Sequence, residues 1–124
     1  MIEFDVVPVP KPRMVHSSKW NPTPAISRYF AFKDELNYKA NIKKFKLPDF
    51  FFVKFFVKTS DQSLWGEYHQ GTPDVDNFLK AFMDALSDED KTVHTIVASK
   101  IWGKDSKIQV FEGEEAKTTF CSDF

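Results

Sequence analysis

Hydrophobic residues recur along the chain at two spacings, one typical of strands and the other of helices. Between Phe50 and Lys58 the apolar positions place Phe51, Val53 and Phe55 on one face of a strand. From Ile26 onward they recur every three or four residues, as in an amphipathic helix. The pattern predicts, in order, a strand over 2–8, a helix over 26–42, a strand over 50–58, a helix over 76–86, and strands over 93–102 and 107–111.

This order of elements predicts a single small domain of the α+β class, spanning residues 1–124, in which a mixed sheet packs against two helices. Asp76 stands at the start of the second helix, where its carboxylate suits an N-cap. The turn from Gly103 to Ser106 predicts that the last two strands form a hairpin. The tail after Glu112 is polar and is expected to be frayed.

The composition narrows the class of protein. Hydrophobic residues make up 42% of the 124 residues and aromatic residues 16%, which is too apolar for a disordered chain and sufficient for one modest core. The longest apolar run, from Phe50 to Val57, is interrupted by Lys54 and is far shorter than the ~20 residues of a membrane helix. The acidic start lacks the basic segment of a signal peptide, and the single cysteine, Cys121, fits a reducing cytoplasm.

Charge is distributed unevenly although the net charge is only −1. Residues 1–60 carry eleven Lys and Arg against five Asp and Glu, a net of +6, whereas residues 61–124 carry six against thirteen, a net of −7. Such a division suits a protein that meets phosphates with one part and holds a cation with another. Ordinary scatter of solvated charge is the simpler alternative.

Two carboxylates, Asp74 and Asp76, lie on the same side of the chain if the backbone between them is extended. At an effective dielectric constant of ~20, two such charges ~5 Å apart repel by about 3 kcal/mol, and a bound Mg²⁺, which prefers oxygen ligands, relieves this repulsion. Lys80 follows Asp76 by one helical turn, where it is placed to neutralise a scissile phosphate or position the attacking water. The simpler alternatives are a surface ladder of Asp76, Lys80 and Asp84, or a cap at Asp76 alone.

A metal site of this kind needs a third carboxylate, and the acidic segment Asp88-Glu89-Asp90 is the preferred source. This segment follows the second helix, about 15 Å along the helix axis from Asp76, so a strand that runs back along the helix, or a bent connection, has to close that gap. Asp90 is the preferred ligand. Asp105, in the turn before the last strand, is its competitor.

The segment around these residues resembles the signature of the RusA-type Holliday-junction resolvases, small homodimeric endonucleases common in bacteriophages and prophages. The family pattern is an Asp-x-Asp-Asn, a Lys three residues after the Asn, and an Asp-Ala-Leu that ends the helix. The matching segment here is Pro73-Asp74-Val75-Asp76-Asn77-Phe78-Leu79-Lys80-Ala81-Phe82-Met83-Asp84-Ala85-Leu86. The opening Pro8-Val9-Pro10-Lys11-Pro12-Arg13, the pair Thr23-Pro24, and the later Val93, Ile96 and Lys100 resemble the family as well.

The resemblance implies an enzyme of DNA recombination and repair that nicks four-way junctions symmetrically and leaves a 5′-phosphate and a 3′-hydroxyl. It implies dependence on Mg²⁺, with Mn²⁺ as a substitute. It also implies a RusA-like fold in a two-fold dimer, which matches the two-fold symmetry of a junction. Carried over by residue, Asp74 and Asp76 would be metal ligands and Lys80 the catalytic lysine.

The third ligand that the resemblance implies is Asp90. In the family, the third aspartate closes an Asp-Asp pair three residues before a strand valine, and counting back from Val93 gives Asp90. The chain departs from the family at two points, because Glu89 replaces the first Asp of the pair and the segment after Leu86 is short. Asp88 and Asp105 therefore remain alternatives for the third carboxylate.

Several residues are candidates for DNA contact. Lys11, Arg13 and Lys19 lie in a proline-rich loop and are expected to meet DNA phosphates, although a solvated loop is the simpler alternative. Asn77 is expected to bond the DNA backbone or to orient a carboxylate.

Further candidates have simpler structural explanations. Lys43, Lys44 and Lys46 follow the first helix, where lysines commonly serve as caps. His69 is conceivable as an extra ligand or base, but a lone loop histidine is usually exposed.

Two functions follow from these observations. The first is a metal-dependent junction endonuclease. The alternative is a non-catalytic dimeric protein that binds DNA junctions, in which the carboxylates hold a structural cation or pair with Lys80.

Overall fold

The structure is a computed structural model that describes residues 1–14, 22–86 and 92–122, with side chains to Thr119 in the last segment. The described residues form four strands and three α-helices. In chain order they are β1 (Ile2–Phe4), α1 (Pro24–Ile42), β2 (Phe50–Lys58), α2 (Val75–Leu86), β3 (Thr95–Gly103), β4 (Lys107–Glu112) and α3 (Gly113–Ser122). A short 3-10 helix, Gln62–Leu64, lies between β2 and α2. The α+β class with a mixed sheet is confirmed.

The most apolar segment of the chain, β2, lies inside the sheet. It pairs in parallel with β3 on one edge and antiparallel with β4 on the other, and β4 pairs antiparallel with β1. The order across the sheet is therefore β1-β4-β2-β3. Phe51, Phe52, Val53 and Phe55 are all at most 1% exposed, so β2 needs cover on both faces of the sheet.

The expected hairpin of β3 and β4 is wrong, because β2 lies between these two strands. Their connection passes the end of β2, where the Lys58 main-chain N–H donates to Ser106 Oγ (3.1 Å) and the Thr59 N–H donates to the Gly103 carbonyl (3.0 Å). The parallel neighbours β2 and β3 need a crossover, which the segment containing α2 supplies. Turn chemistry indicates a reversal of the chain but not which strand lies alongside.

Helices α1 and α2 pack together on one face of the sheet. On that face Phe82 of α2 lies over Phe51, with ring centroids 5.9 Å apart, and Phe78 stacks on Phe55 at 5.5 Å. From α1, Leu36 is fully buried in the same core. These contacts fix the orientation of α2 on the sheet.

Helix α3 forms where a frayed tail was expected, so the structure has three helices rather than two. It contacts β2 and β4, and its Ala116 is fully buried. Phe52, which alternates with Phe51 along β2, packs against Phe111 with ring centroids 5.9 Å apart. Fraying was expected because the tail is mostly polar and its apolar pattern is weak. This expectation was wrong because it did not take into account that one face of β2 would otherwise be uncovered.

The remaining differences concern the ends of elements. β1 ends at Phe4, opposite Ile108, whereas a strand to residue 8 was expected. Val6 is still buried, which accounts for the longer alternation. None of the helices in the described ranges is long and apolar enough to cross a membrane.

Candidate active site

Asp74 and Asp76 lie at the N-terminus of α2. The helix begins at Val75, and the Asp74 carbonyl accepts hydrogen bonds from the N–H groups of Asn77 (3.1 Å) and Phe78 (3.4 Å). Asp74 therefore precedes the helix and Asp76 lies inside its first turn, so both the N-cap predicted at Asp76 and the extended backbone through the pair are wrong. Both residues are exposed, and the positive end of the helix dipole favours negative charge there.

Lys80 lies one turn further along α2, with its ammonium 3.5 Å from Asp76 Oδ2. Both side chains are 61% exposed, and exposed ion pairs of this kind contribute about 0–1 kcal/mol. The charge ladder does not extend to Asp84, whose carboxylate instead contacts Lys11 at 2.8 Å. The Asp76–Lys80 pair is therefore weak.

The Asp84 carboxylate joins α2 to α1 and to the N-terminal segment. Tyr29 Oη donates to it at 2.5 Å, and Lys11 binds the same oxygen. Burial raises the pKa of Asp84, but hydrogen bonds from Lys11 and Tyr29 and the charges of Lys11 and Lys33 outweigh burial and lower this pKa overall. Burial, followed by the hydrogen bond and charge of Asp84, raises the pKa of the Tyr29 phenol, so this hydroxyl remains a donor.

A cationic cavity of about 470 Å³ opens beside the N-terminal half of α2. It is lined by Lys11, Pro12, Arg13, Asn77 and Lys80. Three of these five residues are basic, and the Asn77 amide adds hydrogen-bonding groups. The structure therefore brings Lys11, Arg13 and Asn77 together beside the catalytic candidate Lys80.

The N-terminal segment that contributes to this cavity is fixed to α2. The Lys11 N–H donates to the Asn77 carbonyl at 2.9 Å, while the Lys11 ammonium binds Asp84. Lys11 therefore has a structural role in addition to any contact with DNA. Lys19, the third basic residue expected in the DNA-binding loop, lies outside the described residues.

The third carboxylate stays a prediction, because Asp88 and Asp90 lie outside the described residues. Asp105 lies in the β3–β4 connection, where it lines a cavity with Lys58 and other residues. Among the side chains described in residues 1–14, 22–86 and 92–119, no three His, Cys, Asp or Glu form a group able to hold a metal. Asp105 therefore does not complete a site with Asp74 and Asp76.

His69 is buried, contrary to the exposed position expected for a lone loop histidine. It is 5% exposed, and its ring stacks on Trp102 with centroids 3.9 Å apart. Nδ1 accepts a hydrogen bond from the Gly71 N–H at 3.0 Å. Burial, followed by the positive charge of Lys100, lowers the pKa of His69, which favours the neutral ring that this bond requires. Nδ1 is thus committed to the main chain rather than to a metal.

Lys100, in β3, reaches the main chain immediately before Asp74. Its ammonium donates to the carbonyls of Gly71 and Pro73, the latter at 2.7 Å. The sequence pattern included Lys100 in the family resemblance but assigned it no role. Its partners are main-chain atoms 27 and 29 positions away, and no spacing rule identifies contacts of that separation.

The lysines after α1 include one with a structural contact. The Lys43 ammonium donates to the Glu3 carbonyl at 2.9 Å and lies 5.7 Å from the centroid of the Phe4 ring. These contacts attach β1 to the end of α1, in keeping with the structural alternative for this group. Lys44 and Lys46 are exposed.

A comparison with protein families finds a match over most of the chain. The family model described as Endodeoxyribonuclease RusA matches residues 3–111 of the 124 residues. The matched region includes α1, α2, β2 and β3 in full, and all of β1 and β4 except Ile2 and Glu112; it ends before α3. No curated protein sequence matches the chain.

Proposed function

We propose that this chain, which belongs to the RusA family of endodeoxyribonucleases, is a divalent-metal-dependent enzyme that resolves four-way DNA junctions by paired symmetric nicks. Family membership makes it an endodeoxyribonuclease; the junction selectivity, the metal and the form of the products are the proposal. One observation supports it most. The N-terminus of α2 presents two exposed carboxylates, Asp74 and Asp76, and Lys80 beside a cationic cavity.

Asp74 and Asp76 would hold a Mg²⁺ ion, for which Mn²⁺ can substitute, with Asp90 as the proposed third ligand. The donor chemistry fits, because carboxylate oxygens are the ligands that Mg²⁺ prefers and exposed positions leave room for water and phosphate oxygens. When bound, such an ion polarises a phosphoryl oxygen, lowers the pKa of a bound water and stabilises the leaving 3′-oxygen.

In this proposal the ammonium of Lys80 leaves the Asp76 carboxylate and binds a phosphate of the DNA. Its present ion pair is exposed and weak, so breaking it costs only about 0–1 kcal/mol. Once the Asp76 carboxylate has another partner, the ammonium of Lys80 is free to neutralise the negative charge of a scissile phosphate in the adjoining cavity.

The cavity lining would hold the DNA backbone. Arg13 and Asn77 supply donors for phosphate oxygens, and Lys11 fixes the segment that carries Arg13. Lys19 is proposed to extend this contact.

A two-fold homodimer would place one such site on each of two opposing strands, leaving 5′-phosphate and 3′-hydroxyl ends. A role in recombination or repair, origin in a bacteriophage and action in the bacterial cytoplasm stay predictions of the same proposal.

A second candidate function is a non-catalytic junction-binding protein. The observation that favours it is the Asp76–Lys80 ion pair, in which the two residues neutralise each other without a cation. The two candidates differ in whether the protein cuts DNA strands when a divalent metal is present.

The deciding experiment compares a synthetic four-way junction with a linear duplex of matched sequence, each incubated with protein and either Mg²⁺ or EDTA. The wild type is expected to nick opposing junction strands in Mg²⁺ only. Asp76→Asn and Lys80→Met are each expected to slow single-turnover nicking by at least about 100-fold, because removed metal and phosphate contacts are worth several kcal/mol. Both variants should still bind the junction in EDTA. Glu114→Gln, which removes an exposed carboxylate from α3, is the control.

The possible outcomes separate the candidates. Junction binding by the wild type without metal-dependent nicking would establish the second candidate and overturn the first. Equal nicking of the linear duplex would leave a metal-dependent endonuclease and remove its selectivity for junctions.

A further inference from the structure

We propose that Lys100 is a positioning residue for Asp74, which it holds through the main chain of the three preceding residues, 71–73. These residues are called the Asp74 loop below. The inference rests on the proposed metal-dependent function, since it concerns how one of the proposed ligands is kept in place.

The first support is the bonding of the ammonium group. Lys100 donates to two carbonyls of the Asp74 loop, those of Gly71 and Pro73. The Pro73 carbonyl, 2.7 Å from Nζ, belongs to the peptide group that continues into Asp74. Only one rigid, planar peptide group therefore separates the Lys100 ammonium from the Asp74 Cα.

The second support is the rigid position of Lys100 in strand β3. Lys100 lies in β3 opposite Phe55, which is fully buried in β2. The Lys100 carbonyl accepts a hydrogen bond from the His69 N–H at 2.9 Å. His69 stacks on Trp102 and accepts the Gly71 N–H. Gly71 is therefore held at two points: its N–H by His69 and its carbonyl by Lys100.

The third support is the exposure of the Asp74 loop. Gly71 and Thr72 are exposed and Pro73 is half-buried, so burial of apolar groups does little to fix the loop. A carboxylate that binds Mg²⁺ has to stay within a fraction of an ångström of its position, because this ion demands near-ideal octahedral geometry. Lys100 supplies the constraint that packing does not, much as residues behind a metal ligand orient it in other sites.

The test uses Lys100→Met, which keeps most of the aliphatic stem and removes the donors. Lys104→Met is the matched control, because it removes the same charge from an exposed position in the β3–β4 connection. Three quantities are measured. They are the Mn²⁺ dissociation constant of the DNA-free protein by calorimetry, the nicking rate as a function of Mn²⁺ concentration, and junction affinity in EDTA.

We expect Lys100→Met to weaken Mn²⁺ binding by about 10- to 100-fold relative to Lys104→Met, the range typical of residues that orient metal ligands. The nicking rate should recover at saturating Mn²⁺, and junction affinity in EDTA should match the control. Lys100→Arg should restore part of the metal affinity, because a guanidinium can also donate to two carbonyls. A purely structural role would not separate metal affinity from saturated rate and DNA affinity in this way.

Equal Mn²⁺ affinities of Lys100→Met and Lys104→Met would overturn the proposal, as would a parallel loss of junction affinity in EDTA. If Lys100→Met does not fold, Lys100→Gln carries the same test, because its neutral side chain is one bond too short to replace the ammonium at both carbonyls. Failure of the proposed function is visible separately, in a wild type that neither binds Mn²⁺ nor nicks the junction.

Discussion

Three lysines around α2 differ in what holds their ammonium groups. Lys80 makes one exposed ion pair with Asp76, Lys11 binds Asp84, whose side chain is 33% exposed, and Lys100 binds main-chain carbonyls. The interaction energy of a charge grows as water is removed from around it, so these lysines are not equivalent. The ammonium of Lys80 is the one most easily released from its partner, while those of Lys11 and Lys100 hold chain segments in place.

The Asp84 network gives a prediction about stability. Asp84→Asn is expected to lower the free energy of unfolding by about 1 kcal/mol at pH 7, because the amide keeps an acceptor but loses the charge that binds Lys11 and Tyr29. The folded-state pKa of Asp84 lies below 3.8, so this contribution is present above that pH and is lost as the pH falls through the lower folded-state pKa. Urea unfolding at pH 7 and pH 3 measures both effects. Asp34→Asn, an exposed site on α1, is the control, and an equal loss in both variants would contradict the prediction.

His69 gives a prediction about pH dependence. Its pKa is lowered in the folded state, so the unfolded chain takes up a proton near pH 6.5 and the folded chain only at a lower pH. The wild type should therefore lose stability as the pH falls below about 6.5. His69→Phe, which keeps an aromatic ring against Trp102, should lack this part of the loss.

Urea midpoints between pH 7.5 and 5 measure the His69 effect. His94→Phe is the matched control, because it replaces an exposed histidine by the same residue. The explanation fails if His69→Phe and His94→Phe show the same dependence on pH.

At the scale of elements, β2 decides what surrounds it. Its alternate residues are buried on both faces. Helix α2 covers Phe51 and Phe55, and on the other face, where α3 contacts the sheet, Phe52 packs against Phe111. Burying a phenylalanine contributes about 1.5–3 kcal/mol, so leaving either face open would be costly for a domain of this size. We therefore expect α3 to contribute to the stability of the fold, although it lies beyond the residues matched by the family model.

The role of α3 can be tested at Ala116, which is fully buried. Ala116→Asp is expected to lower the free energy of unfolding by about 2–4 kcal/mol, because it places an unpaired charge between the helix and the sheet. Lys117→Asp introduces the same residue at the neighbouring exposed position and should cost far less. Chemical denaturation of both variants provides the comparison. Similar stabilities would show that α3 does not pack on the sheet.

At the scale of the whole molecule, the uneven charge has a structural counterpart. The basic residues Lys11 and Arg13 come from the positive first half of the chain, while Asp74 and Asp76 come from the negative second half. Folding brings the two halves together at the N-terminus of α2, where the cavity combines Arg13 with Lys80. A net charge of −1 thus conceals a local positive surface next to a pair of carboxylates.

This arrangement predicts the salt dependence of DNA binding. Arg13→Ala should weaken junction binding in EDTA and reduce the slope of log affinity against log salt by about one, because one phosphate contact is lost. Lys44→Ala, which removes an exposed lysine at the end of α1, should leave the slope unchanged. Titrations at several NaCl concentrations measure the slope. Equal slopes for the two variants would place the DNA away from the cavity.

Local patterns determined several features of this protein. The alternation from Phe50 to Lys58 and the three-to-four spacing in the two larger helices predicted those elements within two residues of their ends. The segment from Asp74 to Lys80 predicted the family, which the match over residues 3–111 confirms. These features depend on neighbours in the sequence, because strand and helix geometry relate residues two, three or four positions apart.

Only the tertiary structure decided the rest. It placed β2 between β3 and β4, folded the polar tail into α3, paired Asp84 with Lys11 and attached Lys100 to the Asp74 loop. Each of these features depends on residues far apart in the chain. Each was decided by which surface would otherwise be uncovered or which charge would otherwise be unpaired. A short spacing rule contains no information about that choice, because burial and pairing are decided by the assembled core.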